Sequence, residues 1–187
     1  VSIHLGVTKD LIDKGFNCHH IIVDNWSELE KEKGVIFISI PTLLDSSLAP
    51  DNKHIIHAFT PSSIEEWENL SRKDYILKKQ NYYSFLIKKI SKIIPNLEQY
   101  IDHKEIGTPR THRKFLGRFE GSYGPIPNKK LLGLLPMPFN TTKIKNLYCV
   151  GDSCFPGQGL NAVAFSGYAC AHKIGSKLNL NNFNLPD

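Results

Sequence analysis

The sequence predicts an α/β fold, and three observations carry that expectation. Short β-branched and aromatic runs, clearest at residues 35–40, read as strands. One long segment, residues 74–94, repeats apolar side chains at helical spacing. Near the end, the apolar run at residues 147–150 leads through Gly151 and Asp152 into a glycine-rich turn. Small residues then recur at Ala162, Ala164, Gly167, Ala169 and Ala171. Strand, acidic residue, glycines and helix start, in that order, suit a phosphate- or ribitol-bearing cofactor. Helix-start N–H groups and the helix dipole favour electron-rich oxygens there.

Taken in order, residues 3–5 and 20–23 read as strands, joined by a turn or short helix at residues 9–15. Residues 26–33 are polar and helical or looped, with Gly34 as a stop. Residues 35–40 form a strand closed by Pro41, residues 45–50 a turn-rich connection, and residues 55–59 the next strand of one sheet. Ser62 and Glu65 have the spacing of a capping box; Ser71 and Asp74 have a weaker version. Over residues 74–94 the apolar residues Tyr75, Tyr82, Tyr83, Leu86, Ile87, Ile90, Ile93 and Ile94 fall at helical spacing, with Lys78, Lys79, Lys88, Lys89 and Lys92 on most of the other face, which reads as a core helix with a solvated basic face or else a membrane-touching one. Pro95 ends it. Residues 101–108 should include a strand, and residues 111–118 a helical turn. Residues 121–125 should form a tight loop and residues 131–138 a cavity lining. Asn140 to Thr142 turn the chain toward a buried parallel strand at residues 147–150.

Gly157-Gln-Gly159-Leu-Asn-Ala162 literally satisfies the dinucleotide fingerprint G-x-G-x-x-G/A, but its context is wrong. Residues 152–156 intervene between the strand end and the glycines, where that fingerprint wants a tight turn. No second strand with an acidic tip follows before Asp187. A first βαβ unit is therefore rejected in favour of a second cofactor-contacting strand and helix.

Residues 150–167, Val150-Gly-Asp-Ser-Cys-Phe-Pro-Gly-Gln-Gly-Leu-Asn-Ala-Val-Ala-Phe-Ser-Gly167, resemble the C-terminal FAD-binding motif of the carotenoid desaturase and isomerase flavoproteins, and most closely the carotenoid isomerases. Two more blocks support this: residues 36–50, IFISIPTLLDSSLAP, and residues 107–112, GTPRTH, running on to residues 121–125 and 137–142. The likeness spans essentially the whole chain. It implies the C-terminal half of a two-domain FAD-dependent fold of the amine-oxidase and phytoene-desaturase type. Residues 1–120 would be part of a mixed-sheet substrate domain, and residues 121–187 the return strand and helix of the FAD domain. Family members begin with a Rossmann unit, so the chain reads as entered mid-domain, with that N-terminal half as its partner.

The resemblance also implies an activity: isomerisation of poly-cis-lycopene to all-trans-lycopene with reduced FAD and no net redox change. It places the protein at a plastid or cyanobacterial membrane surface. Gly151, Asp152, Gly157, Gly159, Leu160 and Asn161 would contact FAD, with the Asp152 carboxylate accepting from a ribityl hydroxyl; from spacing alone Asp152 is equally a helix cap. Tyr123, Phe139 and Phe155 would line an apolar tunnel for a long polyene, or else be ordinary core. No local acid–base pair stands out, as suits an enzyme whose hard chemistry belongs to its cofactor. Two other readings stay open: a flavin-dependent carotene desaturase or polyene saturase, and a non-catalytic module for an apolar ligand.

Composition bounds the rest. The chain has 187 residues, 41% of them apolar, enough for a sizeable core. No stretch of ~18 apolar residues occurs, so no span is expected. Lys and Arg number 23 against 18 acidic residues, a modest +5 scattered along amphipathic segments, which argues for a weak attraction to anionic lipid and against nucleic acid. Cys18, Cys149, Cys154 and Cys170 form no C-x-x-C pair and read as free thiols, with Cys149 and Cys170 buried. Cys154 reads as a packing residue rather than a nucleophile. His19-His20 and His54-x-x-His57 would point to opposite strand faces, so no metal is expected.

Overall fold

The computed structural model describes residues 1–12, 15–122 and 137–180. The chain divides into two compact units, Val1–Gly121 and Ser122–Asp187.

Unit 1 is a five-stranded sheet carrying helices. Its strands are β1 (Ser2–Thr8), β2 (His19–Val23), β3 (Val35–Ser39), β4 (Lys53–Phe59) and β5 (Ile101–Gly107), in the spatial order β2-β3-β4-β1-β5. Each pairing is antiparallel, which corrects the expected mixed sheet. The reason lies in the connections. A parallel pair needs a crossover of a dozen or more residues, usually a helix. The long helix of unit 1 links β4 to β5, and these two do not neighbour each other.

Alternation decides which face is core. Ile3, Leu5 and Val7 of β1, Ile36 and Ile38 of β3, and Ile56 and Ala58 of β4 point to one side and are buried. Helix α2 (Arg72–Ile90) covers that side with Leu86, Ile87 and Ile90, and Ile94 and Leu97 extend the cluster. Its lysines are engaged with the unit: Lys78 with Glu66 and the Trp67 ring, Lys89 with Asp24 and the Phe85 ring. Helix α2 therefore acts as a core helix with a solvated basic face.

Its boundaries differ slightly from the pattern. Ser71 caps the start, accepting from the Asp74 N–H at 3.2 Å and donating to its carboxylate at 2.6 Å. The helix ends at Ile90 rather than Ile94, and the Ile93 and Ile94 N–H groups both turn onto the Ile90 carbonyl at 2.8 and 2.9 Å. Pro95 excludes helical backbone at the residue before it and crowds the carbonyl four residues back, that of Ser91.

The capping box expected at Ser62 does not form. Helix α1 (Glu65–Glu68) starts after Ile64 without a side-chain cap at that position, and the Glu65 N–H donates to Ser63 Oγ at 3.2 Å. Ser62 Oγ instead accepts from Trp67 Nε1 at 2.9 Å and from the Tyr82 hydroxyl at 3.0 Å. A fully buried indole needs an acceptor for its N–H, and that need outweighs one helix cap. Tyr82 also reaches Glu32. Gly34 is likewise no helix stop: a Cβ there would lie 1.8 Å from the Glu28 carbonyl oxygen, so close backbone approach selects the glycine.

The loop after β3 is tied to β4 by Thr42, whose Oγ1 lies 2.7 Å from His54 Nδ1 and accepts from the Ile55 N–H at 3.2 Å. Helix α3 (Pro109–Leu116) opens with a reciprocal Thr108–Thr111 capping box, and Gly117 follows it.

Along β4, His54 is buried with the core while His57 lies on the other face, stacked on His4 at 4.4 Å. Partial burial, with the neighbouring His4 adding to it, holds the His57 imidazole below its ordinary pKa. The unfolded chain then takes up this proton first as pH falls through about 6.5. The contribution of His57 to stability is complete above that pH and is lost as pH falls on through the lowered native value. His57→Phe is expected to flatten the decline of the urea midpoint between about pH 7 and 5; an unchanged slope would contradict this assignment.

Candidate functional site

The residues singled out for cofactor binding lie in unit 2. Its one long described helix is α4 (Leu160–Lys177), with Ser166, Cys170 and Gly175 buried. Asn140 to Thr142 do make a turn. Thr142 Oγ1 donates to the Leu147 carbonyl at 2.9 Å and accepts from the Ile144 N–H at 3.1 Å.

The run at residues 147–150 is not a strand. It makes a single antiparallel bridge, Thr141 to Tyr148, and the Cys149 N–H donates to Asn140 O at 2.9 Å. Leu147 and Val150 are 49% and 53% exposed, and Cys149 is exposed as well, against the expectation of burial. A buried parallel strand needs a neighbour on each side and cover on both faces. Among the described residues of this unit, pairing along it is limited to the turn at residues 140–142, on one side.

After this run come two successive tight turns. The Cys154 N–H donates to Gly151 O at 3.2 Å, and the Gly157 N–H to Cys154 O at 2.8 Å. Cys154 is buried between them, its thiol donating to Cys149 O at 3.4 Å. Burial first, then the Cys149 thiol beside it, pushes the Cys154 thiol up to about 11. Such a group stays protonated at neutral pH and packs rather than reacts. Cys154 is expected to alkylate with iodoacetamide at pH 8 about 100-fold more slowly than an ordinary exposed thiol. Peptide mass spectrometry reads this directly, and equal labelling of Cys154 and Cys149 would refute it.

The glycines mark the open side of this loop. Gly151 has φ +113° and Gly159 φ +104°, backbone that side chains rarely adopt, and a Cβ built on either meets nothing within 4 Å. Gly157 differs. It is buried, and a Cβ there would sit 3.3 Å from Met137 Cε, so it packs inward. Gly159 is the N-cap of α4, and no side chain caps the helix start. Leu160, 86% exposed, and the exposed Asn161 leave that tip open. The first N–H groups of any helix lack intrahelical acceptors, and here they face an approach that a flat ligand could take. Asp152 is half-buried on the same loop, with Ser153 Oγ donating to its Oδ1 at 3.4 Å.

Phe139 and Phe155 meet edge-tilted at 5.4 Å; Tyr123 lies outside the described residues. Two residues that pattern-reading passed over prove central to this loop. Asn140 Nδ2 donates to Cys149 O, Ser166 O and Ser166 Oγ at 3.1, 3.2 and 3.0 Å, and Ser166 Oγ also accepts from the Gly151 N–H at 3.3 Å. A hydroxyl inside a stripe of small helical residues, fully buried, was the available signal.

Among the described residues no group of three or more His, Cys, Asp or Glu could hold a metal, and no helix is long and apolar enough to cross a membrane.

No protein-family model matches the chain. Curated proteins do. The chain is 54% identical over 182 residues to prolycopene isomerase, chloroplastic, of Arabidopsis thaliana, and equally so to that of Daucus carota. Each match covers 96% of this chain but only 31% and 30% of the relative, so the chain spans about a third of their length. A more distant likeness, 27% over 130 residues, is to 4,4'-diapolycopen-4-al dehydrogenase of Metabacillus indicus, covering 68% of this chain and 25% of that protein. With more than half its residues identical across nearly its whole extent, the chain belongs to the prolycopene isomerase family of carotenoid isomerases.

Proposed function

We propose that the whole protein isomerises cis double bonds of a poly-cis-carotene, giving all-trans-lycopene from prolycopene, with reduced FAD as resident cofactor and no net redox change. The observation that carries this reading is the 54% identity to chloroplastic prolycopene isomerases over 96% of the chain. Unit 1 would belong to the substrate domain and unit 2 to the FAD domain of a two-domain enzyme of the amine-oxidase and phytoene-desaturase type. The remaining length of the relatives would supply the Rossmann half and the contacts to pyrophosphate and adenine.

The residues of unit 2 suit a flavin. Open space over Gly151 and Gly159 admits a flat ring against backbone, which a Cβ at either position would obstruct. The Asp152 carboxylate would accept from a ribityl hydroxyl. Backbone N–H groups at Gly159, Leu160 and Asn161, with the positive end of α4, would hold negative charge at the N1 and C2-carbonyl edge of the ring, whereas the N–H of the inward-packed Gly157 is taken by the Cys154 carbonyl. When bound, the reduced flavin supplies an electron-rich partner that lowers the order of a cis C=C bond reversibly. Phe139 and Phe155 would give a polyene apolar contact.

A plastid location is supported by the relatives' printed names. A peripheral membrane contact would suit so apolar a substrate. It is supported by Phe115, Leu116 and Phe119, exposed beside Arg113 and Lys114 at the end of α3.

The test is isomerisation of prolycopene by the intact protein with its flavin reduced or oxidised under anaerobic conditions. Turnover is expected only with reduced flavin, with no change in the number of conjugated bonds. Full activity from oxidised flavin without a reductant would sink the mechanism. A strongly red-shifted product would instead mean a desaturase, and a protein with no flavin absorbance band would mean an apolar-ligand module.

A further inference from the structure

We propose that Asn140 and Ser166 act as a positioning clasp, setting the backbone direction at Gly151 and so presenting Asp152 to the cofactor. This inference rests on the flavin reading above and adds to it two residues that touch no ligand themselves.

The loop between residues 149 and 159 leaves one end of a non-strand segment and must return to α4. Its backbone groups therefore lack a sheet ladder to hold them. The bonds that replace the ladder converge on Ser166 Oγ. It accepts from the Gly151 N–H at 3.3 Å and from Asn140 Nδ2 at 3.0 Å, and it is completely buried on the inner side of α4. Asn140 adds donation to the Cys149 carbonyl at 3.1 Å, while its own carbonyl accepts from the Cys149 N–H at 2.9 Å. Residues 149 and 151 are thus both tied to Asn140 and Ser166, on either side of Val150. With the Gly151 N–H bonded to Ser166 and its carbonyl closing the turn onto the Cys154 N–H, the backbone that carries the half-buried Asp152 is set by these same bonds. The same hydroxyl also references the loop to α4, whose start would face the ring. A single buried atom thereby sets the carboxylate and the helix tip in register.

This arrangement gives the clasp a function beyond stability. A site that must hold polar groups to a fraction of an ångström depends on the residues that orient its contacts. Because Asn140 and Ser166 bond to each other, their removal should be non-additive.

The experiment uses the intact protein and two readouts: FAD affinity by flavin fluorescence quenching, and exchange of the Gly151 amide measured without added FAD. Asn140→Ala, Ser166→Ala and the double variant are compared with Cys170→Ala, which truncates an equally inward residue of the same helix. Each clasp variant is expected to weaken FAD binding about 10-fold and to expose the Gly151 amide, with the double variant no worse than about 30-fold. Cys170→Ala should lower the melting temperature while changing FAD affinity less than about 2-fold. Unchanged Gly151 exchange in Ser166→Ala overturns the clasp, whatever the flavin does. Faster exchange with unchanged FAD affinity also overturns it but leaves the flavin reading intact. Equal loss of affinity in Cys170→Ala reduces the clasp to ordinary stability. A wild-type protein that binds no FAD overturns the flavin reading, and the clasp's role with it.

Discussion

Gly159→Val is expected to strip FAD from the intact protein while leaving it folded. Gly159 sits at φ +104°, ψ 152°, a region of backbone space open essentially to glycine alone. A β-branched residue held there costs on the order of 1–3 kcal/mol of strain. If the backbone keeps its conformation, the new side chain projects into the open space over the loop, where a Cβ meets no protein atom within 4 Å. If the backbone relaxes, the first turn of α4 moves and its N–H groups lose their direction. Either route should weaken flavin binding by about 100-fold or more, since 2.8 kcal/mol already corresponds to that factor. The measure is the flavin-to-protein absorbance ratio after gel filtration, with circular dichroism to confirm folding. Gly167→Ala is the control. Gly167 lies inside α4 without a positive φ, and a Cβ there also meets nothing within 4 Å. That variant should retain flavin and gain up to about 1 kcal/mol from helix propensity. Normal flavin content in Gly159→Val would remove the helix tip from the site.

Trp67→Ala should have the largest effect on stability. Trp67 is fully buried in a small cluster with Tyr82, packs edge-on against Tyr75 at 5.7 Å, and donates through its indole N–H to Ser62 at 2.9 Å. Truncation removes that packing and leaves Ser62, Tyr82 and Glu32 beside a void. Large-to-small substitution of a buried tryptophan typically costs about 3–5 kcal/mol, a large share of the stability of a domain this size. Chemical denaturation should show loss of the cooperative transition, or a midpoint shift of that size. Trp67→Phe, which keeps most of the volume but loses the N–H, should cost about 1–2 kcal/mol. A shift below about 1 kcal/mol for Trp67→Ala would mean the cluster is not a structural centre of unit 1.

Much of this was legible before any coordinates. The β-branched run at residues 35–40, the loose alternation at residues 55–59 and the helical spacing of Tyr82, Leu86 and Ile90 are local signals, because each is written into its own segment. The loop glycines and Asp152 were marked by residue type, since few other residues suit a turn before a helix start. The likeness of three motif blocks led to the family, which the 54% identity then established. The failures have a common cause. Residues 147–150 have strand composition but no strand beside them, and β-pairing is a property of two segments. Ser62 has the spacing of a cap but is taken by a tryptophan five residues on and a tyrosine twenty residues on. The mixed sheet failed because strand direction depends on which strands become neighbours.

What the sequence by itself determined is therefore most of the elements of unit 1, the apolar stripe of α2, and the likeness that led to the family. Tertiary structure alone decided the strand order β2-β3-β4-β1-β5, the use of Ser62, and the meeting of Asn140 with Ser166. The physical reason is range. A periodic pattern is written into one segment, whereas a hydrogen bond between residues 26 positions apart exists only once the chain has closed the loop between them.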